Sequence, residues 1–256
     1  MTEVDFGKSA NDYASHRKGF PASMMTRLAE LQVGLPGQSL LDLGTGTGLL
    51  GLEMARRGCE VIGLDPSEAL LEKAREAARR DGLSARFVRG VAEETGFASD
   101  SFDVVVAGTA WHWFDKSKAA REARRILKPD GRLAITVLEW HFLPNNVLTE
   151  TLKLIRKFAP RTSRPHPSAL RYPEWTKDLV SAGFDRWEAF AYIEPLAYTH
   201  DGWRGRVRAS QGAGPVMDSR TLGAFDEAMV EMLSDKFPDD PMTVDHRVSA
   251  IVAWSS

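Results

Sequence analysis

The sequence predicts a doubly wound α/β fold: a mostly parallel seven-stranded sheet, Rossmann-like, with helical cap insertions. Three observations carry this reading. Short runs rich in Leu, Val and Ile alternate with helix-period segments between residues 39 and 138. The first run empties into a glycine-rich loop, Gly44-Thr45-Gly46-Thr47-Gly48, and the second ends on Asp65. The length, 256 residues, suits one large domain or a domain with a cap.

The elements follow in order. Met25, Leu28 and Leu31 share one helical face, so a helix is expected from about Ala22, stopped by Gly34-Leu35-Pro36-Gly37. Ser39–Leu43 reads as a buried strand, and Leu49–Arg57 as a helix ended by Gly58. Glu60–Leu64 is the second strand; Pro66-Ser67 opens a helix over Glu68–Arg80, closed by Asp81-Gly82. Ala85–Arg89 and Phe102–Ala107 are the third and fourth strands. Lys116–Leu127 is a helix, Lys128-Pro129-Asp130-Gly131 a turn, and Arg132–Leu138 the fifth strand. Strands separated by helices return to the sheet through crossovers, which makes their pairing parallel. Beyond Trp140 the rhythm breaks into a proline-bearing stretch, a short helix over Pro173–Ala182 and a sixth strand over Phe184–Ile193. More helix between Ala197 and Pro238 and a last strand over Val244–Trp254 complete the chain. The expected organisation is an N-terminal lid and helix over 1–36, a core carrying the glycine loop over 37–140, and cap plus closing strands over 141–256.

Composition narrows the function. Lys+Arg 33 against Asp+Glu 35 gives a net charge of −2, which argues against a general nucleic-acid binder. A single cysteine excludes an internal disulfide framework and a thiolate zinc site. No run of about 18 apolar residues occurs, so no membrane span is expected. Met1–Gly19 is too polar for a leader peptide. The expectation is a cytoplasmic globular protein, monomer or homodimer, with a small-molecule partner.

The glycine loop is a strand-to-helix turn in which glycines allow sharp bends and close approach of a ligand. Two chemistries use it. Gly46-Thr47-Gly48-Leu49-Leu50-Gly51 satisfies the dinucleotide pattern G-x-G-x-x-G, with Asp65 in place for a ribose, so an NAD(P)- or flavin-dependent oxidoreductase is one reading. An S-adenosylmethionine (SAM) site is the other. Asp42 favours the second: two residues before Gly44, its carboxylate would repel a pyrophosphate but can pair with the ammonium of a methionine moiety. The same carboxylate can also simply cap loop amides.

Leu41–Gly48 resembles motif I of the class I SAM-dependent methyltransferases, and Val61–Asp65 resembles their second motif. Gly90-Val91-Ala92-Glu93 with Ser101–Val105 is similar to their adenine loop and fourth strand, and Ile126–Leu133 to the turn before strand five. Phe6-Gly7, Tyr13, Arg17, Gly19-Phe20-Pro21 and Ala110–Phe114 resemble the subgroup near the trans-aconitate methyltransferases. The resemblance implies that Asp42, Gly44, Thr45 and Gly46 hold the methionine end of SAM and that Asp65 takes the ribose hydroxyls. It implies that Ala92 offers its backbone N–H to adenine with Glu93 nearby, that Gly108 and Thr109 line the sulfonium, and that Tyr13 and Arg17 belong to a lid. Val91 stands where many members carry Asp, so Glu93 or a backbone carbonyl must receive the adenine amino group.

Other residues bear on an acceptor. His112, between Trp111 and Trp113 after strand four, can take a proton or orient a substrate, or can merely bond a backbone group. Trp111 and Trp113 can wall the pocket or pack in the core. Trp203-Arg204-Gly205-Arg206-Val207-Arg208 is the densest positive cluster of the cap; Arg204 and Arg206 suit an acidic substrate, or a salt-bridged surface helix. No Asn-Pro-Pro-Tyr follows strand four, and no metal-ligand spacing is evident. The expected function is methyl transfer from SAM to a small, acidic metabolite on O or S. An oxidoreductase and a non-catalytic SAM-binding module are the alternatives.

Overall fold

Alternation along the strands sets both faces of the sheet. In the computed structural model, which describes residues 19–160, 172–210, 213–214 and 216–255, the strands are β1 (Ser39–Leu43), β2 (Glu60–Asp65), β3 (Ala85–Arg89), β4 (Phe102–Gly108), β5 (Leu127–Trp140), β6 (Arg186–Tyr198) and β7 (Met242–Trp254). They lie in one sheet in the order β3-β2-β1-β4-β5-β7-β6. β1 pairs in parallel with β2 and β4, β2 with β3, and β4 with β5. The helices are α1 (Ala22–Glu30), α2 (Leu49–Arg56), α3 (Glu68–Arg80), α4 (Lys116–Ile126), α5 (Val147–Phe158), α6 (Tyr172–Ser181), α7 (His200–Arg208) and α8 (Ser219–Lys236). Among the described residues no helix is long and apolar enough to cross a membrane.

The chain divides into two compact units. One contains Gly19–Leu138, Ser168–Tyr192 and Val248–Ser256; the other includes Glu139–Pro167 and Ile193–Arg247. In the first unit, Leu41, Leu43, Val105, Ala107, Leu133 and Ile135 face one side, where Ala119, Ala123 and Ile126 of α4 and Trp175 and Leu179 of α6 cover them. Leu40, Val104, Val106 and Ala134 face the other, under Met24, Met25 and Leu28 of α1 and Leu50 and Met54 of α2. This double cladding explains why the strands read as near-continuous apolar runs. Each fully buried Leu or Met side chain contributes ~1.5–3 kcal/mol. The second unit packs Val147 and Ile155 of α5, Trp203 and Val207 of α7, and Phe225, Met229 and Leu233 of α8 into a separate core. Its helices begin on side-chain caps: Asn146, Thr199 and Asp218 accept from the amides of Thr149, Gly202 and Thr221.

Two expectations need correction. The fifth strand starts at Leu127, directly out of α4, rather than at Arg132. The expected turn is still present: Leu127 pairs with Phe102 and Arg132 with Val104, so Lys128–Gly131 loops out of the ladder, with Asp130 at φ 59°. The sixth strand runs through Pro195 to Tyr198 instead of ending at Ile193. It is the edge strand of the sheet, where a missing backbone donor can be tolerated.

Candidate functional site

β1 and β2 end side by side, with Leu43 in register with Leu64. The chain leaving β1 must then turn into α2. Gly44, Gly46 and Gly48 all have positive φ (65°, 56° and 83°). A Cβ at Gly44 would lie 2.8 Å from the Ala110 Cβ, so this bend is closed to larger residues. A Cβ at Gly46 would meet nothing within 4 Å: here the loop faces open space. That opening is the cradle expected of a ligand site at the carboxyl ends of the strands.

Two buried carboxylates flank it. Asp42 is 1% exposed; its Oδ2 accepts from the Thr45 hydroxyl at 2.7 Å and the Gly51 amide at 3.0 Å. Its Oδ1 is buried with no hydrogen-bond partner. Burial pushes the Asp42 carboxyl up to about 7, opposed by those two donors and reinforced by Asp65. Asp65, at the end of β2, accepts from the Gly46 amide through Oδ2 and the Ser67 amide through Oδ1, both at 2.9 Å. Burial raises its pKa as well, against these two amides. The Thr47 hydroxyl is buried without a partner. The loop therefore places orphan acceptor capacity, two buried carboxyl groups and an open glycine together. That donor set fits a cationic amino-acid ligand and opposes a pyrophosphate.

The opposite wall comes from β3 and β4. Ala92 is buried, and Glu93 Oε1 accepts the Asp115 amide at 2.7 Å, which ties this loop to the start of α4. Val91 is exposed. At the end of β4, a Cβ on Gly108 would come within 3.0 Å of Leu50 and 3.1 Å of Phe20. Thr109 follows at φ 55°, with its amide on the Thr136 carbonyl (2.7 Å) and its hydroxyl accepting from the Leu138 amide (3.3 Å). A β-branched residue in this region stores ~1–3 kcal/mol of strain and is held there by its surroundings, a pattern that clusters at functional sites.

Trp111, His112 and Trp113 form a single 3-10 turn after β4. Trp111 is 1% exposed and packs edge-on to Phe114 within the core, so it is not a pocket wall. His112 is half-buried, its ring 5.0 Å from that of Trp113, which is exposed. Tyr13 and Arg17 lie outside the described residues. Arg204 is also withdrawn from the acceptor candidates: Nε donates to Asp226 Oδ1 at 3.0 Å and Nη2 to Oδ2, a bidentate pair internal to its own unit. Arg206 meets no carboxylate among the described residues; its guanidinium stands over the Trp140 ring and is hydrogen-bonded to the Tyr198 hydroxyl.

The sequence reading missed Gly51 and Thr47. The third glycine of the loop pattern was the available signal for Gly51: a Cβ there would sit 3.0 Å from Asp42 Oδ2, so only glycine lets α2 approach the carboxylate. Nothing in the pattern marked Thr47, because its burial depends on how the loop closes. A second recess, lined by Ser39, Cys59, Glu60, Ser84, Arg86 and Ser101, lies at the opposite ends of the strands, away from these groups.

Residues 41–135 match the methyltransferase domain family. The uncharacterized methyltransferase YcgJ of Bacillus subtilis is 31% identical over 202 residues, 77% of this chain and 72% of YcgJ. An uncharacterized methyltransferase of Mycobacterium tuberculosis is 32% identical over 132 residues, 52% of this chain and 51% of that protein, so the chain spans about half the length of this relative. The crystal structure of YcgJ superposes with a TM-score of 0.59 at 23% identity, covering 91% of this chain and 98% of that one. SpnF, a cyclase, shares the fold at a TM-score of 0.53 and 21% identity, covering 92% and 84%, so the fold by itself does not name a reaction. With the strand order, the glycine loop and its two carboxylates, the similarity to YcgJ over most of both chains shows that the protein belongs to the class I SAM-dependent methyltransferase family.

Proposed function

We propose that the chain binds SAM in the crevice after β1 and transfers its methyl group to a small-molecule acceptor. The observation that carries this reading is the open face of Gly46 between two buried carboxylates, one of which, Asp42, keeps an unpartnered oxygen. Asp42, with Gly44, Thr45 and Gly46, holds the amino-acid end. Asp65 receives the ribose hydroxyls on lone pairs left over from the Gly46 and Ser67 amides. The backbone of Ala92 meets the adenine edge, with Glu93 beside it, and Gly108 and Thr109 lie along the sulfonium. Bound SAM supplies an electrophilic methyl group on a positively charged sulfur. The protein's task is alignment, which can contribute ~7–11 kcal/mol in favourable intramolecular cases. His112 orients the acceptor or receives its proton, with Trp113 at the same turn.

Calorimetric titration with S-adenosylhomocysteine and with NAD tests the cofactor, and labelled methyl transfer to a metabolite library tests the reaction. Binding of NAD without S-adenosylhomocysteine would overturn the proposal. Cofactor binding with no transfer to any acceptor would leave a binding module. His112→Ala is expected to lower kcat about tenfold, the worth of one charge-assisted hydrogen bond, with cofactor affinity unchanged. An unaltered kcat would assign His112 to packing against Trp113.

A further inference from the structure

We propose that Glu93 is a positioning residue for methyl transfer: its carboxylate sets the turn that carries His112 and Trp113 relative to the loop beside the cofactor crevice. The assignment rests on the reading that the cofactor lies after β1 and the acceptor at that turn.

Residues 90–97 follow β3 with no helix or strand beyond an isolated bridge between Val91 and Glu94, so hydrogen bonds to other segments decide where this loop sits. At its start the Gly90 amide donates to the Asp65 carbonyl at 3.2 Å, and the Asp65 side chain in turn accepts the Gly46 amide. Farther on, the loop is tied twice to α4. Thr95 donates to Glu122 Oε1 from its amide (2.9 Å) and its hydroxyl (2.5 Å), which fixes the middle of the helix. Glu93 Oε1 accepts the Asp115 amide at 2.7 Å, which fixes the residue at which the helix begins.

This second tie completes a helix cap from outside the helix. Asp115 is the N-cap of α4, and its Oδ1 accepts from the Lys118 amide at 3.2 Å. In a closed capping box, the residue at the position of Lys118 is Glu or Gln and reaches back to the N-cap amide. Lysine carries no acceptor. Glu93, twenty-two residues upstream of Asp115, takes that amide instead. Its carboxylate suits the task, because charge-assisted hydrogen bonds are short and a helix N-terminus favours negative charge.

The consequence falls on the residues just before Asp115. Trp111 is anchored in the core at 1% exposed. The Trp113 and Phe114 amides donate to the Ala110 and Trp111 carbonyls at 2.9 and 3.3 Å. The turn is thus pinned by the core at Trp111 and by Glu93 at Asp115, with His112 and Trp113 between the two pins. A shift of the crevice loop reaches them through the Glu93 hydrogen bond, whereas a cap supplied by α4 itself would leave loop and turn independent.

Amide hydrogen exchange over Ala110–Ile126, measured by mass spectrometry on the full chain with and without S-adenosylhomocysteine, tests the assignment. In Glu93→Ala the Trp113 and Phe114 amides should exchange at least tenfold faster, the worth of one hydrogen bond to a charged group, and the Tm should fall. Glu93→Gln, whose carbonyl can accept the same amide, should recover most of both. The decisive variant adds Lys118→Glu to Glu93→Ala. It closes the capping box within α4, so it should restore the Tm and the exchange of the helix while the Trp113 and Phe114 amides stay fast. In the parent, S-adenosylhomocysteine should slow these two amides, a response that Glu93→Ala and the double variant both lose. Unchanged exchange at the turn in Glu93→Ala would overturn the proposal. Recovery of turn and Tm together by Lys118→Glu would also do so, and would make Glu93 a helix cap alone. Ligand bound by the parent without slower exchange at the turn would break the link between crevice and turn. Absence of ligand binding by the parent would instead remove the cofactor reading, while the exchange of the empty chain still decides what Glu93 holds.

Discussion

Replacing Asp65 with alanine is expected to weaken S-adenosylhomocysteine binding about 10- to 100-fold, the worth of ~1.5–3 kcal/mol for hydrogen bonds to a charged group. The size follows from what this carboxylate does in the fold. Asp65 is 6% exposed at the end of β2, and it accepts the amide of Gly46 across the crevice and the amide of Ser67 in its own turn. It thus fixes the one glycine of the loop that faces open space while still offering lone pairs to a ribose. Asp65→Asn should recover little, because the NH2 of asparagine must point at one of two N–H groups that need an acceptor. Affinity for an analogue lacking the ribose hydroxyls separates loop positioning from direct contact. If Asp65 touches the ribose, the alanine variant loses the preference for the hydroxylated ligand; if it only holds the loop, both ligands weaken together. Unchanged affinity for S-adenosylhomocysteine would take Asp65 out of the site.

Much of this crevice was legible before any coordinates because it is made of local features. The strand-loop-helix rhythm placed β1 through β4 within one residue of their observed ends. Glycines at 44, 46 and 48 announced their own positive φ values. What the sequence hid is tertiary. Trp111 and Trp113 are two residues apart in one turn, yet one is 1% exposed and the other 52%, a difference set by which side of the turn meets α4 and α6. The three arginines of α7 read as one positive patch. Only the position of Asp226, eighteen residues beyond Arg208, separates the two neutralised cations from the third. Likewise, the sixth strand, expected to end at Ile193, continues through Pro195 to Tyr198, which its place at a sheet edge allows.

The pH dependence of cofactor binding should reveal the state of Asp42. Burial raises its carboxyl from 3.8 to about 7, so the empty protein favours the neutral acid. A carboxyl raised on folding binds more protons in the folded than in the unfolded state between those two values. Stability of the empty protein is therefore greatest below pH 3.8 as far as this group is concerned, and it falls as pH rises through 7, by ~4 kcal/mol at 1.36 kcal/mol per unit. Asp65, also raised by burial, acts in the same direction. An ammonium placed at the unpartnered Oδ1 reverses the preference, because it stabilises the ionised form. Ligand binding must then expel a proton below neutrality. Affinity for S-adenosylhomocysteine should rise about tenfold between pH 6 and pH 8 and then level off, with proton release measurable by calorimetry in buffers of different ionisation enthalpy. Asp42→Asn imitates the neutral acid: its carbonyl can take over the Oδ2 bonds to Thr45 and Gly51. This variant should be at least as stable as the parent at pH 8, yet bind more weakly there and with a flatter pH profile. A parent protein whose affinity ignores pH across this range would show that Asp42 only caps its loop.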